Sequence, residues 1–172
     1  MLFTETKLAG SYVIELEKLQ DERGFFARSW DRRKFEEYGL DSNLVQCSIS
    51  LNLKRGVLRG MHYQDPPYEE TKLIRCTKGK IFDVIVDLRD DSPTKNRWFA
   101  AELTATNYKM LYVPKGFAHG FQTLEENSEV FYQMTQEYRQ EYARVRRWDD
   151  EKFNISWPIH PPILSDKDRD GG

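Results

Sequence analysis

Apolar and polar residues alternate in short runs along most of this chain, and the runs recur every roughly 8–15 residues with turn formers between them. Residues 11–17 end in an apolar/polar alternation that predicts a strand. A turn at 21–24 leads into an aromatic strand at 25–30. Asp31 then reads as the N-cap of a short helix over 32–39 that ends on Gly39 and presents Phe35 on one face. From residue 44 onward the pattern predicts strands over 45–53, 57–64, 72–77, 80–88, 98–103, 109–113, 120–124 and 129–135, the strongest being 80–88. A helical turn at 138–142, an edge strand at 144–148 and an irregular tail from 157 complete the expectation. The pattern is that of an all-β sandwich, jelly roll or barrel with a few short helices, forming one domain over residues 1–172.

Composition narrows the partners. The net charge is -2 and both signs are interspersed, which argues against a nucleic-acid footprint or a polybasic membrane surface. Any anion site must then be a local cluster of Lys and Arg. There is no signal-like leader and no run approaching the ~18 apolar residues of a membrane span, so the cytoplasm is the expected compartment. Cys47 and Cys76 read as two reduced thiols rather than a disulfide.

Two of the three histidines stand in glycine-punctuated stretches. The first runs from Gly56 to Gly79 and carries Arg59, His62, Gln64 and Lys72; the second runs Pro114-Lys-Gly116-Phe-Ala-His119. A single histidine in a β domain is commonly structural, but two within paired spaced motifs favour a site. The spacing Gly-x5-His-x-Gln-x7-Lys-x6-Gly, followed by Pro-x-Gly-x2-His, resembles the two motifs of the cupin superfamily. That resemblance implies a small jelly-roll barrel with these side chains at its mouth. Metal-binding cupins carry His and Glu where this chain has Gln64 and Lys72. An ammonium has no lone pair to give a metal, so a metal site is not expected. The pocket should instead stabilise negative charge, as in deprotonation beside a carbonyl, with Lys72 and His119 at the enolate oxygen and Arg59 on an anionic group. Arg59 and His62 are three apart and would face opposite ways on a regular strand, so a bulge or bend at Gly60 is expected.

A longer set of segments narrows the resemblance. Asp21-x-Arg23-Gly-Phe-Phe26, Gly56-Val-Leu-Arg-Gly-Met-His-Tyr-Gln64, Asp83-Val-x-Val-Asp-Leu-Arg89, Pro114-x-Gly-Phe-Ala-His-Gly-Phe121, Tyr132, Trp148-x-Asp150, Trp157-Pro and Leu164-Ser-x-Lys-Asp168 resemble, in order, the dTDP-4-dehydrorhamnose 3,5-epimerase family. The resemblance implies His62 as catalytic base with Asp168 as its partner; by sequence alone Asp166 and Asp170 are equal candidates. It implies Tyr132 as the acid on the opposite face, and Lys72 and His119 at the sugar and its carbonyl. Arg23, Gln46, Arg59 and Lys167 match nucleotide-sugar contacts, Ser48 stands at a further substrate-binding position with a different residue type, and Tyr138 matches an aromatic that stacks near the base. No cofactor is implied, the expected partner is a nucleotide sugar, and the expected assembly is a homodimer in which Arg23 serves the neighbouring pocket. Arg28, Cys47-Ser48 and Ala143 depart from the family's usual Glu, Asp-Asn and Glu. These departures bear on nucleotide contacts rather than on the base or acid. The rival readings are a single-centre epimerase on another 4-keto-6-deoxysugar, a metal-dependent cupin oxygenase, and a non-catalytic sugar-nucleotide binder.

Overall fold

The computed structural model describes residues 1–171. Its strands are β1 (Leu2–Glu5), β2 (Tyr12–Glu15), β3 (Leu19–Asp21), β4 (Gly24–Phe26), β5 (Gln46–Asn52), β6 (Leu58–Gln64), β7 (Lys72–Lys78), β8 (Lys80–Asp87), β9 (Trp98–Thr104), β10 (Met110–Val113), β11 (Phe117–Thr123), β12 (Ser128–Met134) and β13 (Ala143–Val145). Two helices, α1 (Arg32–Glu37) and α2 (Asp166–Asp170), and a 3-10 turn at Gln140–Tyr142 join them. A six-stranded sheet in the order β1-β2-β10-β7-β12-β5 faces a five-stranded sheet in the order β13-β6-β11-β8-β9. Both are antiparallel, as the expected jelly-roll barrel requires.

Three apolar layers follow from the strand alternation. Between the sheets, Ile74, Cys76, Leu111 and Val130 of one meet Ile81, Ile85, Leu103 and Phe121 of the other. The outer face of the five-stranded sheet is covered by the chain end, with Phe153 and Trp157 packed on Leu58, Met61, Val84 and Val86. The outer face of the six-stranded sheet is covered by α1, whose buried Phe35 packs on Ile14, Leu73, Met110 and Tyr112. β8 therefore has both faces buried, which explains why it reads as a nearly continuous apolar run. Asp31 accepts from the backbone N–H groups of Arg33 and Lys34, the expected N-cap of α1.

The structure corrects several expectations. The aromatic strand at 25–30 is only Gly24–Phe26, because it pairs locally with the three residues of β3 in a small separate hairpin. β1 and β3 are polar and exposed enough to give no clear alternation. The edge strand at 144–148 is Ala143–Val145, against β6. The tail is not wholly irregular: Ser165 caps α2 by accepting the Asp168 N–H at 3.2 Å. The Ser165-x-x-Asp168 pattern, followed by Gly171, is the sequence signal for that turn of helix. No helix among the described residues is long and apolar enough to cross a membrane.

Candidate active site

A cleft of about 470 Å3 opens at one end of the sandwich, between the two sheets. β6 supplies Arg59 and His62 to it together. His119 of β11 pairs with His62, but Phe121 pairs with Arg59, so two steps on β11 match three on β6. That extra residue is a bulge, and it turns Arg59 and His62 to one side. Gly60 allows it: its φ is +144°, and a Cβ there would sit 2.5 Å from the Gly120 Cα. Arg59 is steadied by the buried Asn52, whose Oδ1 accepts its Nε–H at 2.7 Å.

His62 meets the C-terminal helix. Its Nε2 lies 2.6 Å from Asp168 Oδ1, and the other carboxylate oxygen accepts from the Ser165 hydroxyl at 2.8 Å. Burial alone raises the Asp168 carboxyl, but the His62 ring, the Ser165 hydroxyl and the Gly60 N–H outweigh it and hold the group below the usual carboxylate range. Of the three acidic residues open to the role by sequence, Asp168 is the one that lies buried against His62. Asp166 faces solvent and is paired with Arg169.

The opposing sheet contributes Tyr132, Lys72, Gln46 and Ser48. Tyr132 stands on β12 opposite Ser48 of β5 and Ile74 of β7. Burial first, and then the carboxylate of Asp83, push its hydroxyl well above the usual tyrosine range, so it keeps its proton. The Lys72 ammonium is nearly buried, 2.9 Å from Glu70 Oε1 and 3.3 Å from the His62 carbonyl. Tyr138 and Lys167 lie at the rim of the cleft, and Gln46 pins the first of them by accepting its backbone N–H at 3.0 Å.

Two predicted residues sit apart from the lining. His119 lies behind it, buried, with its ring 5.9 Å from that of Tyr132 and its Nε2 2.8 Å from Asp83 Oδ1. Arg23 is on the β3–β4 hairpin, exposed and paired with Asp21, and does not reach this chain's cleft. Sequence reasoning also left three residues unassigned. Asp83 is an acid in the middle of the apolar run of β8, and that interruption was its signal. Burial pushes its carboxyl up and the His119 imidazole down, so both lean toward their uncharged forms. Glu70 and Ser165 carried no comparable signal beyond the helix cap.

Gln64, where a metal-binding cupin would place a ligand, is consumed by the backbone. It donates to the Tyr68 carbonyl at 2.8 Å and accepts from the Arg139 N–H at 2.6 Å. Among the described residues there is no group of three or more His, Cys, Asp or Glu arranged to hold a metal ion. The arrangement offers one base backed by a carboxylate, one protonated phenol and cations, which is the equipment for moving protons beside a carbonyl.

Comparison with known proteins agrees with that chemistry. An epimerase from Shigella flexneri, dTDP-4-dehydrorhamnose 3,5-epimerase, is 42% identical over 97% of this chain and 92% of its own length. The Bacillus anthracis dTDP-4-dehydrorhamnose 3,5-epimerase, solved with TDP and PPi bound, superposes with a TM-score of 0.94 at 41% identity, covering 98% of this chain and 96% of that one. A Legionella pneumophila 3,5-epimerase in complex with dTDP-4-keto-L-rhamnose superposes at 0.90 with 36% identity, covering 97% and 89%. With the family's sequence profile matching residues 5–172, the chain belongs to the dTDP-4-dehydrorhamnose 3,5-epimerase family.

Proposed function

We propose that this protein is an isomerase that inverts C3 and C5 of dTDP-4-dehydro-6-deoxy-D-glucose, giving dTDP-4-dehydro-L-rhamnose. The observation that carries the reading is the division of the cleft: His62, backed by Asp168 of α2, comes from the five-stranded sheet and Tyr132 from the six-stranded one. Asp168, held ionised, accepts the Nε2–H of His62 and leaves the Nδ1 lone pair as the base. C3 and C5 both flank the C4 ketone, so either C–H bond breaks with its electrons passing to O4. Lys72 donates to the resulting enolate oxygen, with His119 close behind it. Tyr132 then delivers its proton to the opposite face of the same carbon, and the configuration inverts. His62 loses its proton to solvent and Tyr132 regains one before the second centre reacts. Neither oxidant nor metal enters this balance.

The rest of the cleft suits a nucleotide diphosphate. Arg59 and Lys167 supply positive charge, Gln46 and Ser48 line the nucleotide side, and the exposed ring of Tyr138 offers a stacking face. A homodimer is part of the proposal. Ile49 and Leu51 are exposed on β5, one edge of the six-stranded sheet, and Leu19 and Phe26 are exposed on the separate β3–β4 hairpin. Pairing of two copies there lets the hairpin's Arg23 serve the partner's cleft. The two unpaired cysteines suit a reducing cytoplasm.

Proton NMR of dTDP-4-dehydro-6-deoxyglucose with the protein in deuterated water tests the reading. Deuterium at C3 and C5 with rhamno-configured product is expected. Deuterium at one carbon alone replaces it with a single-centre epimerase, and no exchange overturns it.

A further inference from the structure

Lys72 is held by a half-buried acid, Glu70, to which the family resemblance assigns no role. An ammonium has three N–H donors. Within the chain one is directed to Glu70 Oε1 at 2.9 Å and a second to the His62 carbonyl at 3.3 Å. Since Lys72 also lines the cleft, the third is left for a ligand. Glu70 is only 12% exposed at its side chain and is itself fixed, because its Oε2 accepts from Gln64 Nε2 at 3.3 Å. Gln64 in turn grips the segment beyond β12 through the Glu137 carbonyl at 3.2 Å and the Arg139 N–H at 2.6 Å. That segment carries Tyr138. A continuous chain of hydrogen bonds therefore runs from the rim of the cleft, through Gln64 and Glu70, to the ammonium beside His62.

A buried acid also stands behind the site. Asp83 is fully buried and its Oδ2 has no hydrogen-bond partner; the Lys72 charge draws its carboxyl down, but burial outweighs that and leaves it raised. Without Glu70, the Lys72 ammonium keeps only the His62 carbonyl as a hydrogen-bond partner among the described residues. We infer that Glu70 is a positioning residue: it keeps the Lys72 ammonium forward, with one N–H aimed at the substrate oxygen, and Gln64 ties that setting to the rim segment. The inference rests on the reading of this cleft as the epimerase site.

The test compares wild type with Glu70→Gln, which preserves shape and removes the charge. Turnover is expected to fall on the order of 10- to 100-fold, as for the loss of one preorganised donor at a developing oxyanion. KM is expected to stay within about threefold, since an interaction made mainly in the transition state is lost. Glu70→Asp, which restores the charge on a shorter arm, is expected to recover part of the loss. A Glu70→Gln enzyme with wild-type turnover overturns the inference, whereas a wild-type protein that exchanges no substrate hydrogen overturns the epimerase reading instead. Proton–nitrogen NMR of the lysine ammonium groups, assigned with Lys72→Met, gives a readout independent of turnover. A Lys72 signal that shifts or disappears in Glu70→Gln supports the positioning, and an unmoved signal overturns it. If Glu70→Gln does not fold, Glu70→Asp carries both measurements, with a smaller loss of turnover and a displaced signal expected.

Discussion

His62 Nε2 and Asp168 Oδ1 lie 2.6 Å apart although 106 residues separate them in the chain. The barrel supplies the imidazole and the last turn of helix supplies the carboxylate, so the pair is complete only when the tail is docked. Asp168→Asn keeps the shape of that contact but removes the charge that fixes the imidazole tautomer. Its turnover is expected to drop roughly 10- to 100-fold, and that of His62→Ala by roughly 100- to 10,000-fold. Both variants should bind dTDP nearly as wild type, because neither side chain is assigned to the nucleotide. Steady-state rates and calorimetric titration with dTDP check this; wild-type solvent exchange at C3 and C5 in His62→Ala would remove it from the role of base.

Tyr132→Phe separates the two halves of an inversion. The hydroxyl is held in its protonated form by burial and by Asp83, which suits a donor rather than a base. The variant should still allow His62 to wash deuterium into the substrate on the face it already serves, while inverted product falls by at least about 100-fold. Following retention and inversion separately by NMR in deuterated water gives the ratio. Product at the wild-type rate would assign the acid to another group.

Much of this site can be read from local chemistry, and the parts that cannot depend on contacts across the fold. The bulge is legible because Arg59 and His62 are three apart with a glycine between them, and a regular strand cannot place both on one face. Gln64 and Lys72 are legible because their side chains cannot replace imidazole and carboxylate. The choice of Asp168 over Asp166 and Asp170 is not legible in composition, since all three occupy one charged tail; burial against His62 decides it. Asp83 stands out as an acid in an apolar run, but its role is hidden, because a strand buried on both faces gives no alternation from which to read the direction of a single acid. Arg23 belongs to a hairpin whose pairing is local, and its neighbours in this chain give it no cleft to line.

Gly60 links stability to the site. An alanine there faces a φ of +144° and places its Cβ 2.5 Å from the Gly120 backbone, which no rotamer can relieve. The expected cost is about 3 kcal/mol, with a loss of activity as Arg59 and His62 part. Gly24 provides the comparison: its φ is +131°, but a Cβ would meet nothing within 4 Å. Gly24→Ala should then show only the backbone component, about 1–2 kcal/mol. Urea midpoints of the two variants measure the difference, and equal midpoints would mean that the close approach of β6 to β11 costs nothing.

Asp87 makes a prediction about pH that is separate from catalysis. It is fully buried at the end of β8, where it accepts from Arg89 Nη2 at 2.7 Å, Ser92 Oγ at 2.5 Å and Thr94 Oγ1 at 2.7 Å. Burial alone would raise its pKa, but these donors outweigh burial and lower it from 3.8 to about 2. The unfolded chain therefore takes up this proton at higher pH than the folded one. The stabilisation is complete above about pH 4 and ebbs as the pH falls toward about 2, amounting to about 2 kcal/mol. Asp87→Asn should be the less stable protein near neutrality, since it loses the charge-assisted bonds to Arg89. It should also lose less of its remaining stability between about pH 5 and about pH 2.5 than wild type does. Urea unfolding of both proteins at the two pH values isolates the residue, because every other acid is common to the pair. Parallel losses in the two proteins would show that Asp87 titrates alike in the folded and unfolded chain.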